Sequence, residues 1–515
     1  MNSIVEAVYI QAQRDPERVA ILFESETISY GALWADVERF AQTLDAWGAQ
    51  PGDRVALFLE NCPEFVVAYL GAHLAGCIAV LVNTQYRQVE LSHILNDAGV
   101  RLCVTSPVGA EELAAINAPS LEALILVGYE GDTDTQQTPE RGSFAAWLTR
   151  DSDDAETVAP FTMPKPDAPA VLGYTSGTTG RAKGALLLQR NLLANIQAIT
   201  QAWRWTADDR LLLTLPLFHA HGLMVGMHGT LLTGASVVLR RKFDASDVLT
   251  TINSDPVITM FFGVPTMYGR LLTEAERRGA PRPLRLYVSG SAPLSPQVFV
   301  EFERVFGQRI LERYGMTETI MNMTNPYDGG RRPGTVGAPF PGQEARVVGV
   351  ADRQPLPDGE IGEIEVRGPN VFAGYWNRPD ATAEAFSADG WFKTGDLGWR
   401  SADGYYTITG RARELIISGG YNVYPREVED VLAEHPAVAE AAVLGAPDAD
   451  LGEQVVAVIV PRDGQTPDAA EIIIFCRKRL ASYKKPRQVV FVDSLPRNAL
   501  GKVQKHLLAE RLRNE

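Results

Sequence analysis

Cysteine is scarce in this chain, and its four occurrences exclude more than they supply. Cys62, Cys77, Cys103 and Cys476 share no metal-ligand spacing and stand in apolar surroundings. A disulfide scaffold and a cysteine metal centre are therefore set aside, and buried free thiols in a reducing cytoplasm are expected. Positive charge is also in deficit, with 48 Lys and Arg against 63 Asp and Glu and a formal net charge of −15. A nucleic-acid partner wants a basic face, so that class is excluded. The first residues carry Glu6, Arg14, Asp15 and Glu17 on an amphipathic pattern. That pattern lacks the basic start and apolar core of a signal peptide. The run Phe65–Val82 has 18 residues without a formal charge, the threshold length for a membrane span. It holds Gly71, His73 and Gly76, and its second half is β-rich. Helix, glycine stop and buried strand is the better reading, and no membrane span is expected.

At 515 residues the chain exceeds a single hydrophobic core and should divide into domains. Its 45% hydrophobic and 22% charged residues are those of a globular α/β protein. Residues 1–125 alternate helical patterns (Ser29–Trp47, Glu64–Leu74) with short apolar strands (Arg54–Leu59, Ile78–Leu81, Leu102–Thr105). Residues 128–167 are polar, acidic and proline-dotted and read as a surface excursion. A second α/β unit follows, with strands at Arg210–Leu215, Ser236–Leu239, Ile258–Phe262 and Leu284–Ser289. Gly334–Arg367 turns to strand alternation with Gly/Pro turns, a small β subdomain. The last hundred residues have their own helix–strand alternation, and the cut falls at Arg413. That gives an N-terminal domain of residues 1–412 and a C-terminal domain of residues 413–515. From Cys476 to Glu515 eleven Lys and Arg face three Asp and Glu, which reads either as a solvated basic face or as an anion-handling domain.

Residues 174–184 read Tyr-Thr-Ser-Gly-Thr-Thr-Gly-Arg-Ala-Lys-Gly, directly after the apolar stretch Ala170–Gly173. Glycines let the backbone turn tightly and approach an anion. Hydroxyls and freed N–H groups donate, and Arg181 and Lys183 add positive charge. Such a loop suits the β,γ-phosphates of a nucleotide, although it is not the P-loop spacing.

Six further motifs follow in order: Pro216–His219, Gly290–Leu294, Tyr314–Glu318, Thr394–Asp396, Gly410–Glu414 and Pro496–Lys502. Together the seven resemble the adenylate-forming acyl-CoA synthetase superfamily, which includes acyl- and aryl-CoA ligases, luciferases and peptide-synthetase adenylation domains. The resemblance spans nearly the whole chain. It implies an α/β fold: a large N-terminal domain of two α/β sheet subdomains plus a small β subdomain, and a small mobile α+β C-terminal domain. It also implies a two-step reaction using ATP, Mg²⁺ and CoA. A carboxylate attacks the α-phosphate, releasing pyrophosphate, and a thiol then displaces AMP from the acyl-adenylate.

Carried over residue by residue, Thr175, Ser176, Gly177, Thr178, Thr179, Gly180 and Lys183 would wrap the β,γ-phosphates. Glu318 would hold Mg²⁺, a cation that seeks hard oxygens, and Thr317 would touch the α-phosphate. Gly290, Ser291, Ala292, Tyr314 and Gly315 would form the adenine slot. Asp396 and Arg411 would hold the ribose hydroxyls. Lys502 would reach the bond forming between carboxylate and phosphorus, with a compact mobile cation suited to two anions. Arg413 matches the hinge on which the C-terminal domain turns between steps. Ser418, Gly419 and Gly420 would line the pantetheine tunnel, with His219 at its gate. Acetylation of Lys502 would remove the charge that adenylation needs, implying an acetyltransferase and a deacetylase as partners.

The segments Glu312–Asn325, Pro216–Gly222 and Ile417–Pro425 look closest to malonyl-CoA synthetases. Arg313 precedes the adenine-stacking Tyr314, where aryl and fatty-acid members usually have a small residue. Malonate keeps a second carboxylate after activation, and burying it unpaired would be prohibitive; a bidentate arginine answers that charge. His221 would be a second donor, and Ala220 and Met321 would surround the malonate C2. Ala220 is smaller than the usual residue there, which leaves room for methylmalonate. The competing readings are a salt bridge between Arg313 and Glu312, a ligase for short, medium-chain, aryl or oxalate acids, and a carrier-protein-loading adenylation enzyme.

Overall fold

The computed structural model describes residues 1–129, 140–148, 161–175, 181–448, 450–498 and 501–514, with the last two of these as backbone only. A large N-terminal domain of sheets and helices is followed by a smaller C-terminal domain.

Two mixed sheets make the bulk of the large domain. One runs Ala338–Pro339, Met323–Thr324, Leu311–Tyr314, Leu286–Ser289, Met260–Gly263, Arg210–Leu213, Ser236–Leu239, Val19–Phe23 and Glu26–Ser29 from edge to edge. The six strands from Leu311–Tyr314 to Val19–Phe23 pair in parallel. They are short apolar runs without alternation because helices cover both faces. The other sheet runs Gly374–Tyr375, Lys183–Leu188, Pro169–Thr175, Ile78–Leu81, Arg54–Phe58, Leu102–Thr105, Ala123–Leu126 and Glu140–Ser143. Ligand loops of such sheets gather beyond the carboxyl ends of the strands. Thr175, Ser289 and Tyr314 all end a strand at that edge.

The charge-free run folds as read. Pro63–Leu74 is a helix buried along its whole length, Gly76 turns at φ 77°, and Ile78–Leu81 is a buried parallel strand. Among the described residues no helix is long and apolar enough to cross a membrane. All four cysteines are buried and unpaired.

The polar stretch 128–167 needs correction. Glu140–Ser143 joins the eight-stranded sheet and Phe144–Leu148 is a helix. Trp147 is wholly buried beside Trp47, with ring centroids 6.2 Å apart. Its apolar anchors are too few for periodicity to stand out from the acidic residues around them. The remainder of that stretch, 130–139 and 149–160, lies outside the described residues.

A four-stranded antiparallel sheet, Glu344–Val348, Gly362–Arg367, Phe392–Arg400 and Tyr406–Arg411, carries the expected β subdomain. It extends beyond Arg367 because Phe392–Arg400 and Tyr406–Arg411 complete it. A single 3₁₀ turn, Ala412–Glu414, then leads into a five-stranded sheet built from Ile416–Ser418, Tyr421–Val423, Val438–Asp448, Gly452–Pro461 and Gln488–Phe491. That sheet has its own apolar clusters, centred on Val443, Val455 and Ile459 on one face and Leu444, Val458 and Leu508 on the other.

Candidate active site

The strand Phe392–Arg400 pairs with Tyr406–Arg411 so that Asp396 lies opposite Arg411. Their side chains meet at 2.6 Å, and the Tyr314 hydroxyl donates to the other oxygen of Asp396. Thr394 Oγ1 holds the strand turn by donating to Ile364 O at 2.7 Å. Glu318 is buried, and burial raises its pKa above the usual carboxylate range. Tyr375 donates to Glu318 Oε1 at 3.0 Å and Thr175 at 3.4 Å, while Lys183 Nζ stands 5.2 Å from the Tyr375 ring centre. Among the described residues Glu318 has no ion-pair partner. A buried carboxylate braced by two hydroxyls fits a Mg²⁺ ion, which takes hard oxygen ligands. Thr317 packs on Gly173, where an added Cβ would stand 2.5 Å from its methyl.

Lys502 reaches the same place from the C-terminal domain. Burial and then Arg411 lower its pKa, whereas Asp396 and Glu414 act in the opposite sense. The loop is closed by a hydrogen bond from Lys502 N to Asn498 Oδ1 at 2.9 Å. Its neighbour Gly501 turns at φ 75°, and an added Cβ there would meet Thr266 Oγ1 of the large domain at 2.8 Å.

A second cluster lies on the other side of Tyr314. Arg313 is 3% exposed, and its path runs across Gly290: a Cβ there would stand 2.4 Å from the guanidinium carbon. The glycine thus makes room for the arginine. Glu312 and Arg313 are successive strand residues and point to opposite faces, so the salt bridge between them does not form. Arg313 Nη2 donates to Ser291 Oγ at 3.4 Å, and Ser291 Oγ is also 3.4 Å from His221 Nδ1. Burial and then Arg313 drive His221 well below its ordinary pKa and His219 down to about 4, so both rings are neutral. Ser291 Oγ either donates to His221 Nδ1, which leaves the His221 proton on Nε2, or accepts from it. His221 Nε2 and Arg313 Nε are both buried without a partner among the described residues. Buried polar atoms are rarely left unpaired, and two in one pocket point to a polar ligand. Ala220, next to His221 in the chain, and Met321 are both buried.

Sequence reasoning missed three supports. Ser291 and Ile320 hold positive φ of 70° and 61°, strain that persists only where surroundings over-determine it. Asn370 Nδ2 supplies that for Ile320 by donating to Thr319 O and Met321 O, and Asn195 Nδ2 donates to Met321 O at 2.8 Å. His221–Met227 is a π-helix, a form found often at functional sites. The approach of Gly222 to Pro216 O is its one local signal. The asparagines lie too far away in sequence to be found.

Other expected residues stand apart. Ser176, Gly177, Thr178, Thr179 and Gly180 lie outside the described residues. Ser418, Gly419 and Gly420 form a hairpin turn on the C-terminal sheet, with both glycines exposed. No described hydrogen bond joins that turn to His219, Glu318 or Asp396. Arg413 is exposed within the 3₁₀ turn between the two domains' sheets.

Residues 8–376 match the AMP-binding enzyme family and residues 427–502 its C-terminal domain. The chain is 38% identical to sulfoacetate–CoA ligase of Cupriavidus necator, covering 98% of this chain and 97% of that protein. Malonate–CoA ligase of Arabidopsis thaliana is 34% identical, with 100% and 90% covered. MatB from Rhodopseudomonas palustris is 40% identical, with 100% and 99% covered; its ATP-bound crystal structure superposes with a TM-score of 0.89 and its apo structure with 0.79. The present arrangement is thus nearer the ATP-bound one. O-succinylbenzoate CoA synthetase of Bacillus subtilis, solved with ATP and magnesium ion, is 33% identical, with 98% and 99% covered and a TM-score of 0.84. This chain belongs to the AMP-binding enzymes, close to the malonyl-CoA synthetases, and is an acid–thiol ligase working through an acyl-adenylate with the ATP, Mg²⁺ and CoA that serve its family.

Proposed function

We propose that the acid is malonate, that methylmalonate is also accepted, and that the product is the corresponding CoA thioester. The observation that carries this is the buried Arg313, a cation with no carboxylate partner among the described residues and with an unpartnered ring nitrogen of His221 beside it. A monoacid would leave that charge uncompensated, and a fatty or aryl tail would have to lie against it. The second carboxylate of malonate takes two parallel hydrogen bonds from the guanidinium. The first is left free to attack.

In this reading Lys502 brings its charge to the attacking carboxylate and the α-phosphate, and Thr317 contacts that phosphate. Thr175, Lys183 and residues 176–180 hold the departing pyrophosphate. Glu318 would hold Mg²⁺, which neutralises phosphate charge when bound. Asp396 and Arg411 hold the ribose, and Tyr314 with Gly290–Ala292 and Gly315 the adenine. Once pyrophosphate leaves, residues 413–515 turn about Arg413. Lys502 is withdrawn, and Ser418–Gly420 come to the thiol's path beside His219. The CoA thiolate then attacks the acyl carbon and AMP leaves.

Sulfoacetate is the second reading, because a sulfonate answers Arg313 as a carboxylate does and the curated relative at 38% identity is named for that acid. The test is acid-dependent pyrophosphate release with ATP and Mg²⁺ across malonate, methylmalonate, sulfoacetate, acetate, octanoate and benzoate, followed by CoA. Malonate and methylmalonate should lead, and thioester should form on free CoA. A lead for acetate, octanoate or benzoate overturns the diacid reading, and one for sulfoacetate replaces it. The same assay on enzyme carrying acetyl-lysine at position 502 should be silent; normal release would remove acetylation as a control.

A further inference from the structure

The Gly-rich run leaves and rejoins the eight-stranded sheet as a hairpin, with Tyr174 opposite Gly184 and Thr175 opposite Lys183. One helix outside the site, Gln88–Ala98, touches both stems. From its His93, Nε2 donates to Ala182 O at 2.7 Å, on the returning stem. From Asp97, one helical turn on and on the same face, Oδ2 accepts the Tyr174 hydroxyl at 2.8 Å, on the outgoing stem. The His93 and Tyr174 rings meet edge-on at 6.2 Å. Tyr174 lies against Gly184, where an added Cβ would stand 3.1 Å from the ring. Arg378 fixes Asp97 in turn, through Nη2 to Oδ1 at 2.7 Å. The Asp97 carboxylate is thus shared between a stem of the loop and an arginine just beyond the strand Gly374–Tyr375, whose Tyr375 bonds Glu318.

We propose that His93 and Asp97 are positioning residues for the pyrophosphate-forming half-reaction: the helix Gln88–Ala98 clamps the two stems of the phosphate loop at a fixed separation. This rests on the reading that the loop holds the β,γ-phosphates, and is independent of which acid is activated. A clamp acting through that loop matters while the β,γ-phosphates are bound. It is idle in the second half-reaction, which starts from acyl-adenylate.

The experiment measures both half-reactions on the full-length enzyme, using whichever acid the wild type activates best. ATP–pyrophosphate exchange reads the first, and thioester formation from chemically prepared acyl-adenylate and CoA reads the second. Tyr174→Phe removes one hydroxyl, His93→Ala removes one donor, and His93→Gln keeps a donor. Loss of one hydrogen bond at a loop stem should cost about tenfold in kcat/KM for ATP. Thioesterification should stay within about twofold. His93→Gln should recover part of the exchange. The double variant Tyr174→Phe with His93→Ala should lose less than the product of the single losses, because both act on one loop. Equal losses in the two half-reactions would mean general damage and overturn the clamp, as would unchanged exchange in both single variants. If the loop does not hold phosphates at all, Lys183→Ala will also leave the KM for ATP unchanged, which separates failure of that reading from failure of the clamp.

Discussion

On the proposed nucleotide side, Asp396 is already answered by Arg411 and Tyr314, and Glu318 by two hydroxyls. On the acid side, a few residues away along the same strand end, Arg313 is buried against a serine and two neutral histidines. The first arrangement stands ready without its ligand, because opposite charges within the protein hold each other. ATP then exchanges contacts with groups that have partners to return to. The second arrangement has an unbalanced cation whose compensation must come from outside. An unpaired buried charge costs several kcal/mol, so the pocket favours the ligand that removes that cost. On the proposed assignment, affinity for nucleotide is thus spread over many contacts, and selectivity for the acid is concentrated in one.

Arg313→Ala breaks the comparison at its sharpest point. Truncating one partner of a buried charge pair costs about 2–5 kcal/mol, so kcat/KM for malonate should fall by about 30- to 5,000-fold. The KM for ATP should change by less than about threefold, since Arg411 and Asp396 are untouched. Acetate, with no second anion to lose a partner, should lose little or gain. Steady-state kinetics with each acid checks this, and an equal loss for acetate and malonate would assign Arg313 to folding.

The same contrast explains what the sequence made legible. The parallel strands, the buried run 63–82 and the nucleotide residues declare themselves locally, by apolar runs, by glycine stops and by charged residues in ordered motifs. Asp396 and Arg411 are separated by a single hairpin, so their meeting follows from strand register. The acid pocket is legible only in part. Arg313 stands out because the resemblance to malonyl-CoA synthetases puts a cation where aryl and fatty-acid members usually have a small residue. Its isolation depends on Ser291 from another strand end, on Gly290 giving it room, and on the π-helix that carries His221. The support of Ile320 by Asn195 and Asn370 brings together residues 49 to 126 positions apart, which no local pattern encodes. The buried Trp147 strand and helix fail for the opposite reason: the local pattern is there but too short to rise above its polar neighbours.

Ala220 sharpens the comparison at intermediate scale. It is buried at the start of the π-helix, and its carbonyl accepts from Met224 N at 2.8 Å. A larger side chain there fills space without touching any charge. Ala220→Thr should therefore leave malonate turnover nearly intact and shift the malonate-to-methylmalonate preference by about tenfold, the scale of one methyl in a pocket. Competition between the two acids at equal concentration reads this directly. An unchanged ratio would mean that the methyl points elsewhere.

Glu312 tests the smallest difference, on the reverse face of the strand that carries Arg313. Its Oε1 accepts from Leu294 N at 2.9 Å, holding the end of the segment Gly290–Leu294, while Oε2 is buried without a partner among the described residues. Burial raises its pKa to about 8, against the pull of the Leu294 N–H and of Arg426. A carboxyl raised on folding keeps a proton that the unfolded chain releases from about pH 4.5 upward. Its contribution is therefore fully present below that pH and is lost as pH rises through about 8. Gln at this position keeps the acceptor for Leu294 and never ionises. Glu312→Gln should match the wild type at pH 5 and exceed its Tm at pH 8.5 by about 1 °C for each kcal/mol recovered in so large a domain. Thermal melts at the two pH values decide it. A Tm difference that is the same at both would show that Glu312 is ionised in the folded protein, so that its strand carries a buried charge on each face and the neutral support of the adenine segment fails.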